Sequence, residues 1–158
     1  MSQPILIADI RQYVATHLES VFETMLSMKA TVASADELTG ERVTGTVGMA
    51  GEKVTGLVYL HLSAVFAGQA TAAMLGLPPE ETVGQSDVND VTGEVTNMIA
   101  GGLKSWLCDH GAPCALTTPA VIRGTSFAIT AKPGVEYILF GFECNQTRGL
   151  VEVHIKFS

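Results

Sequence analysis

The stretch DVTGEVTNMIAGGLKS, Asp90 to Ser105, spaces Asp90, Glu94 and Asn97 four and three residues apart. On a helix that spacing sets two carboxylates and an amide in one stripe, because side chains three and four positions apart share a face. A carboxylate accepts charge-assisted hydrogen bonds from a cation, and an amide both donates and accepts. Such a stripe could hold another molecule through polar contacts, on a support kept rigid by the packing behind it.

Local helix stability does not account for the stripe. Asp90 and Glu94 form a like-charge pair with no lysine or arginine three or four residues away, and Asn97 is a mediocre helix former. The helix N-terminus offsets Asp90 through the backbone dipole, but Glu94 lies a turn further in. The stretch also holds three glycines, each costing about 1 kcal/mol relative to alanine inside a helix. Gly102 falls on the apolar side with Val88, Val91, Val95, Met98, Ile99, Leu103 and Trp106, where close packing explains it. Gly101 falls on the polar stripe between Asn97 and Lys104 and removes a side chain where a partner would approach. A solvated polar face with incidental glycines accounts for the same spacing, and periodicity alone does not choose.

The elements that must position this helix are legible from periodicity. Ile7, Ile10, Val14, Leu18, Val21, Phe22, Met25 and Leu26 recur with helical spacing and predict a long amphipathic helix from Ile5 to about Met28. Two β-rich runs follow around MAGEK, a hairpin turning at Gly51. A short helix is then expected from Ser63, its N-cap, to Gly76, and the polar connector LPPEETVGQS leads into the motif helix. That helix starts near Ser86 or Asp87 and ends by Gly111 and Pro113.

The last third reads as strands. Ile138, Phe140, Phe142 and Cys144 alternate against Tyr137, Gly141 and Glu143. Val151, Val153, Ile155 and Phe157 alternate against Glu152, His154 and Lys156, with NQTRG as the turn between the two runs. With PAVIRGTSFAITA as a further strand, the segregation of helices from strands argues α+β: one largely antiparallel sheet covered by the N-terminal helix and the motif helix.

Composition narrows the rest. A chain of 158 residues with 47% hydrophobic content fits a single domain spanning 1–158. Its net charge of −7 and scattered basic residues argue against nucleic acid as a partner. No apolar run approaches the roughly 20 residues needed to cross a bilayer, and MSQPILIADIRQYV lacks the layout of a secretory signal, so no membrane association is expected. Three cysteines, an odd number, suit a reducing compartment and hence the cytoplasm.

Other chemistries fit less well. Gly45, Gly48 and Gly51 are spaced like a phosphate loop, but no Gly-Lys-Ser/Thr follows and they lie in the expected hairpin. Cys108, His110 and Cys114, with Cys144, offer soft ligands without a paired C-x-x-C pattern, so buried cysteines and an exposed helix-end histidine are the simpler reading and no metal is expected. His17, His61, His110 and His154 sit on different elements, with neither H-E-x-x-H nor G-x-S-x-G in the chain.

The motif helix resembles that of the bacterial chemotaxis phosphatases CheX and CheC, whose signature is Asp or Ser, three residues, Glu, two residues, Asn, and a later proline. Asp90, Glu94 and Asn97 are in register, and Pro119 follows after 21 residues, one short of the family spacing of about 22. The layout, including SVFETML on the first helix, extends the resemblance over nearly the whole chain. With no Asn supplied by ESVF or ETML, one site per chain is implied, as in CheX. Pro119 then stands as a structural marker rather than a contact.

The resemblance implies a CheC-like fold and a phosphatase acting on the aspartyl-phosphate of a CheY-like receiver domain in chemotaxis or two-component signalling. It implies Asn97 as the residue that positions the attacking water, Glu94 as the one that pairs with the receiver's lysine, and Asp90, Gly101 and Lys104 as partner-binding positions. Asp90 is either a helix cap or a peripheral docking residue, and Gly93 joins Gly101 in giving clearance. No cofactor is implied for the chain itself, Mg²⁺ belonging to the receiver. A homodimer through edge-strand pairing is also implied, which the apolar C-terminal strands would need as cover. The competing reading is a receiver-binding or switch module without catalysis.

Overall fold

The computed structural model describes residues 4–158. Its first element, α1 (Ile7–Leu26), buries Ile10, Val14, Leu18, Val21, Phe22 and Leu26, the expected stripe, and ends at Ser27 in the left-handed conformation. Met25 departs from the expectation: it lies at the margin of the stripe and is 47% exposed.

A three-residue strand β1 (Thr31–Ala33) precedes the hairpin of β2 (Arg42–Ala50) and β3 (Val54–Ser63). The hairpin turns at Gly51, whose amide donates to Val54 O at 2.8 Å. The short helix α2 (Ala64–Met74) is capped by Ser63, whose hydroxyl accepts from the Phe66 amide at 3.2 Å, and Gly76 follows with φ +70°. The motif helix α3 (Gln85–Asp109) leads to β4 (Ala115–Leu116), β5 (Ala120–Gly124), β6 (Glu136–Cys144) and β7 (Thr147–Phe157).

Every strand pairing is antiparallel, in the order β1-β6-β7-β3-β2-β4 with β5 also on β2. The three helices pack on one another and on one face of this sheet. There Val43 and Val47 of β2, Leu60 and Leu62 of β3, Phe140 and Phe142 of β6, and Val151 and Val153 of β7 are buried. Strands pair where sequence alternation places them, because one face must leave water and a one-residue slip would expose all of it.

Two expectations need correction. The residues from PAVIRG onward form a strand only as far as Gly124; the remainder crosses the opposite face of the sheet as an irregular strap, Thr125–Val135. β7 needs no partner subunit as cover, because it lies between β6 and β3, and β6 is itself flanked by β1. The polar members of the β7 alternation are not all wet: Glu152 and His154 are each 5% exposed beneath the strap.

The buried acid is held by imidazoles. Glu152 Oε1 lies 3.0 Å from His61 Nε2, Oε2 lies 2.7 Å from His154 Nε2, and His61 Nδ1 meets Thr44 Oγ1 at 2.8 Å. Burial pushes the Glu152 carboxyl up, but the hydrogen bonds from His61 and His154 outweigh it and hold the group below its ordinary value. Phe127 of the strap packs over His61, and the Arg42 guanidinium lies 3.9 Å from the centre of the Phe127 ring.

Candidate functional site

The sheet and α1 together hold α3 in place. On β2, Gly45 faces the helix, and a side chain there would overlap Thr96 and crowd the Thr92 carbonyl at 3.1 Å. Thr96 in turn donates its hydroxyl to Thr92 O at 2.7 Å, so both threonines lie buried against the sheet. At Gly102 the His17 ring of α1 comes close enough to exclude any side chain and stacks on Tyr13. His17 Nε2 donates to Met98 O at 3.0 Å. The glycine spaced as if for phosphate and the glycine on the apolar side of the motif helix therefore serve the same purpose: they let α3 approach its supports.

Gly45→Val should test the first of these supports. Overpacking against the helix is expected to cost about 1–3 kcal/mol, read as a lower urea midpoint at unchanged m-value.

The polar stripe emerges opposite these contacts. Asp90, Glu94 and Lys104 are exposed, Asn97 and Gly101 half-buried, and a side chain at Gly101 would meet nothing within 4 Å. Side-chain hydrogen bonds made from α3 among the described residues come from Asn89, Thr96 and, through carbonyls, Thr92, Met98 and Trp106. The Glu94 carboxylate and the Asn97 amide thus face outward with their hydrogen-bonding capacity unspent.

A shallow depression of about 250 Å³ adjoins the stripe, lined by Asn89, Asp90, Gly93, Glu94, Pro119 and Val121. Pro119 sits where the chain between β4 and β5 leaves β2, a natural place for a residue with no N–H to give to a ladder. Below the break, Thr117 and Gly48 exchange bonds of 2.9 and 2.8 Å. Pro119 is therefore a wall of the depression and more than a marker.

Two further expectations change. Gly93 is buried, and a Cβ there would make ordinary contacts with this chain, 3.5 Å from Pro119 Cβ and 3.7 Å from Val121 Cγ2, so what faces it is Pro119 and Val121 rather than open space. Asp90 is not a cap: α3 begins at Gln85, with Gly84 at the N-cap and Asp87 in the first turn. Motif and periodicity do not single out Arg123, which donates to Glu41 Oε1 at 2.9 Å and to Asn89 Oδ1 at 3.1 Å and so ties β5 to the start of α3. Only its place in the β5 alternation, two residues from Val121, could have indicated that face.

The soft-ligand cluster does not assemble. Cys108 is exposed, Cys114 half-buried and Cys144 buried on β6, while the exposed His110 stacks on Trp106 and donates Nδ1–H to its carbonyl at 2.7 Å. Among the described residues no three His, Cys, Asp or Glu side chains converge as metal ligands, and no helix is long and apolar enough to cross a membrane.

The family described as chemotaxis phosphatase CheX matches residues 43–143, from β2 to β6, with the whole of α3 inside the match. The chain belongs to the CheX family. Among solved structures, the chemotaxis protein CheX from Vibrio vulnificus is 25% identical over 97% of this chain and 100% of that one, with a TM-score of 0.82. CheX from Desulfovibrio desulfuricans is 26% identical over 94% of this chain and 99% of that one, at a TM-score of 0.78. CheX of Borrelia burgdorferi, solved in complex with CheY, BeF3 and Mg²⁺, is 22% identical over 97% and 99% of the two chains, at 0.74; at that identity the likeness is one of fold. No curated protein matches the chain. The CheX-family fold is the expected α+β, CheC-like one, with α3 laid across the sheet and its polar stripe outward.

Proposed function

We propose that the chain dephosphorylates the aspartyl-phosphate of a CheY-like receiver domain, with α3 entering the receiver's active site. The observation that carries this reading is the pair Glu94 and Asn97, one turn apart on an exposed stripe and without side-chain partners among the described residues, in a chain of the CheX family. The complex of the Borrelia CheX with CheY supports a receiver as the partner.

The receiver brings Mg²⁺ and a lysine for the phosphoryl oxygens, so the task left is to place one water in line with the leaving carboxylate. Asn97 can accept a hydrogen bond from that water through its amide oxygen and donate one toward the phosphoryl group through its NH₂. Being neutral, it does not repel the dianion. Glu94 pairs with the receiver's lysine and fixes the register of the two proteins. Asp90 and Lys104 make peripheral contacts, Asp90 beside the depression walled by Pro119. The working unit in this reading is a homodimer in the cytoplasm.

Gly101 separates docking from folding. Because a side chain there meets nothing within 4 Å inside the protein, Gly101→Leu should raise stability by up to about 1 kcal/mol through helix propensity. It should also lower receiver dephosphorylation by obstructing the partner. Thermal melts and phosphate release measured on the same preparation check both halves.

The function itself is tested by adding the protein to a receiver phosphorylated with acetyl phosphate and Mg²⁺ and following phosphate release. Acceleration supports the reading. Binding without acceleration, across the receivers of the source organism, would replace it with the non-enzymatic docking module.

A further inference from the structure

The face of the sheet away from the helices carries a second polar centre. Both oxygens of Glu152 are approached by imidazole Nε2 atoms, from His61 at 3.0 Å and from His154 at 2.7 Å. An ionised carboxylate only accepts, so both Nε2 atoms carry hydrogen. His61 is then closed, its Nδ1 taken by Thr44 Oγ1 at 2.8 Å. His154 is not closed: the residue is 5% exposed, its Nδ1 has no partner among the described residues, and it lines a cavity of about 490 Å³. Carboxylate and imidazole together form a dyad that fixes the ring and presents one basic nitrogen to that cavity.

The walls say what would fit. Tyr59 and Leu57 come from β3, Lys156 from β7, and Lys132 from the strap, with Val135 where the strap meets β6. Two lysines and no acid line the cavity, in a chain whose 16 acidic residues outnumber its 9 basic ones. The volume lies within the roughly 300–1,000 Å³ of small-molecule sites, and the mixture of apolar wall with a few placed polar groups is their usual make-up.

We propose that this cavity binds a small organic anion that also carries a hydroxyl group. The anion meets the ammonium groups of Lys132 and Lys156, the apolar body lies against Leu57 and Val135, and the hydroxyl donates to His154 Nδ1. The site shares no residue with the α3 stripe, so it stands or falls independently of the phosphatase reading.

The test uses the isotope-labelled full chain and two probes, 4-hydroxybenzoate and benzoate, followed by NMR titration. The expected result is saturable binding of 4-hydroxybenzoate that moves the His154 ring and Lys132 signals and leaves those of Asn97 in place. Benzoate, lacking the hydroxyl, binds at least about tenfold more weakly, and so does 4-hydroxybenzoate to the double variant Lys132→Glu/Lys156→Glu. Both lysines are exposed, so that variant should melt like the parent. Absence of saturable binding at millimolar probe, equal binding of the two probes, or unchanged affinity in the double variant would each overturn the proposal.

Discussion

Asn97→Ala should lower kcat for receiver dephosphorylation by about 10², or roughly 2.7 kcal/mol of transition-state stabilisation, with KM close to unchanged. The magnitude is that of one preorganised polar group aimed at developing charge. The split between kcat and KM follows from the role: a residue that places a water contributes when the water attacks and little when the proteins meet. Glu94→Ala should behave differently, raising KM as well as lowering kcat, because an ion pair to the receiver's lysine operates in the bound ground state too. Stability offers a control. The Asn97 side chain spends no hydrogen bond on the described residues, and alanine is the better helix former, so the variant should melt no lower than the parent. Unchanged turnover in Asn97→Ala would remove the amide from the mechanism.

Phe142→Ala is expected to have the largest effect on stability, about 3–5 kcal/mol, read as a lower urea midpoint. Phe142 is fully buried on β6 and packs on Phe22 of α1 and Phe66 of α2, with ring centres 5.4 and 5.5 Å away; those two rings are themselves 5.5 Å apart. Each ring comes from a different element, so no single neighbour can move in to fill the space without unseating a helix. Gly149 marks how closely the strands approach here: a side chain in its place would overlap the Phe142 ring. A loss below about 1 kcal/mol would mean that α1 and α2 close over the cavity far more readily than three interlocked rings allow.

What was legible in the sequence was what repeats. The apolar stripes of α1 and α3, the turn at Gly51 and the alternation of β6 and β7 all follow from burial of one face at a fixed period. What was illegible depended on the particular neighbour. Thr92 and Thr96 read as polar but are buried, because Thr96 returns its hydroxyl to the helix backbone and Gly45 makes room beneath it. Glu152 and His154 are hydrogen-bonded to one another on the sheet's far face, and nothing in strand periodicity distinguishes a buried polar pair from a wet one. Gly93 was expected to give clearance beside Gly101, yet the chain returns through Pro119 to lie against it, a contact set by a break in strand pairing 26 residues later in sequence. The stripe itself was readable because nothing among the described residues answers Glu94 and Asn97.

The place of β7 between β3 and β6 has a consequence for how the chain comes to be folded. A growing chain that has reached Cys144 already contains all of α3 and its polar stripe, but not the strand that joins Tyr59 of β3, through Glu152, to Leu139 of β6. Until β7 arrives, β3 and β6 each show an unpaired edge, and such edges invite association between copies. β6 and β7 meet as a hairpin, but pairing β7 with β3 brings together segments far apart in sequence, a slow kind of step. Emergence from the ribosome should therefore be the interval in which this chain most needs a chaperone: β3 and β6 are joined into one sheet only in that late event, although the strands on which α3 rests, β2 to β5, are already made.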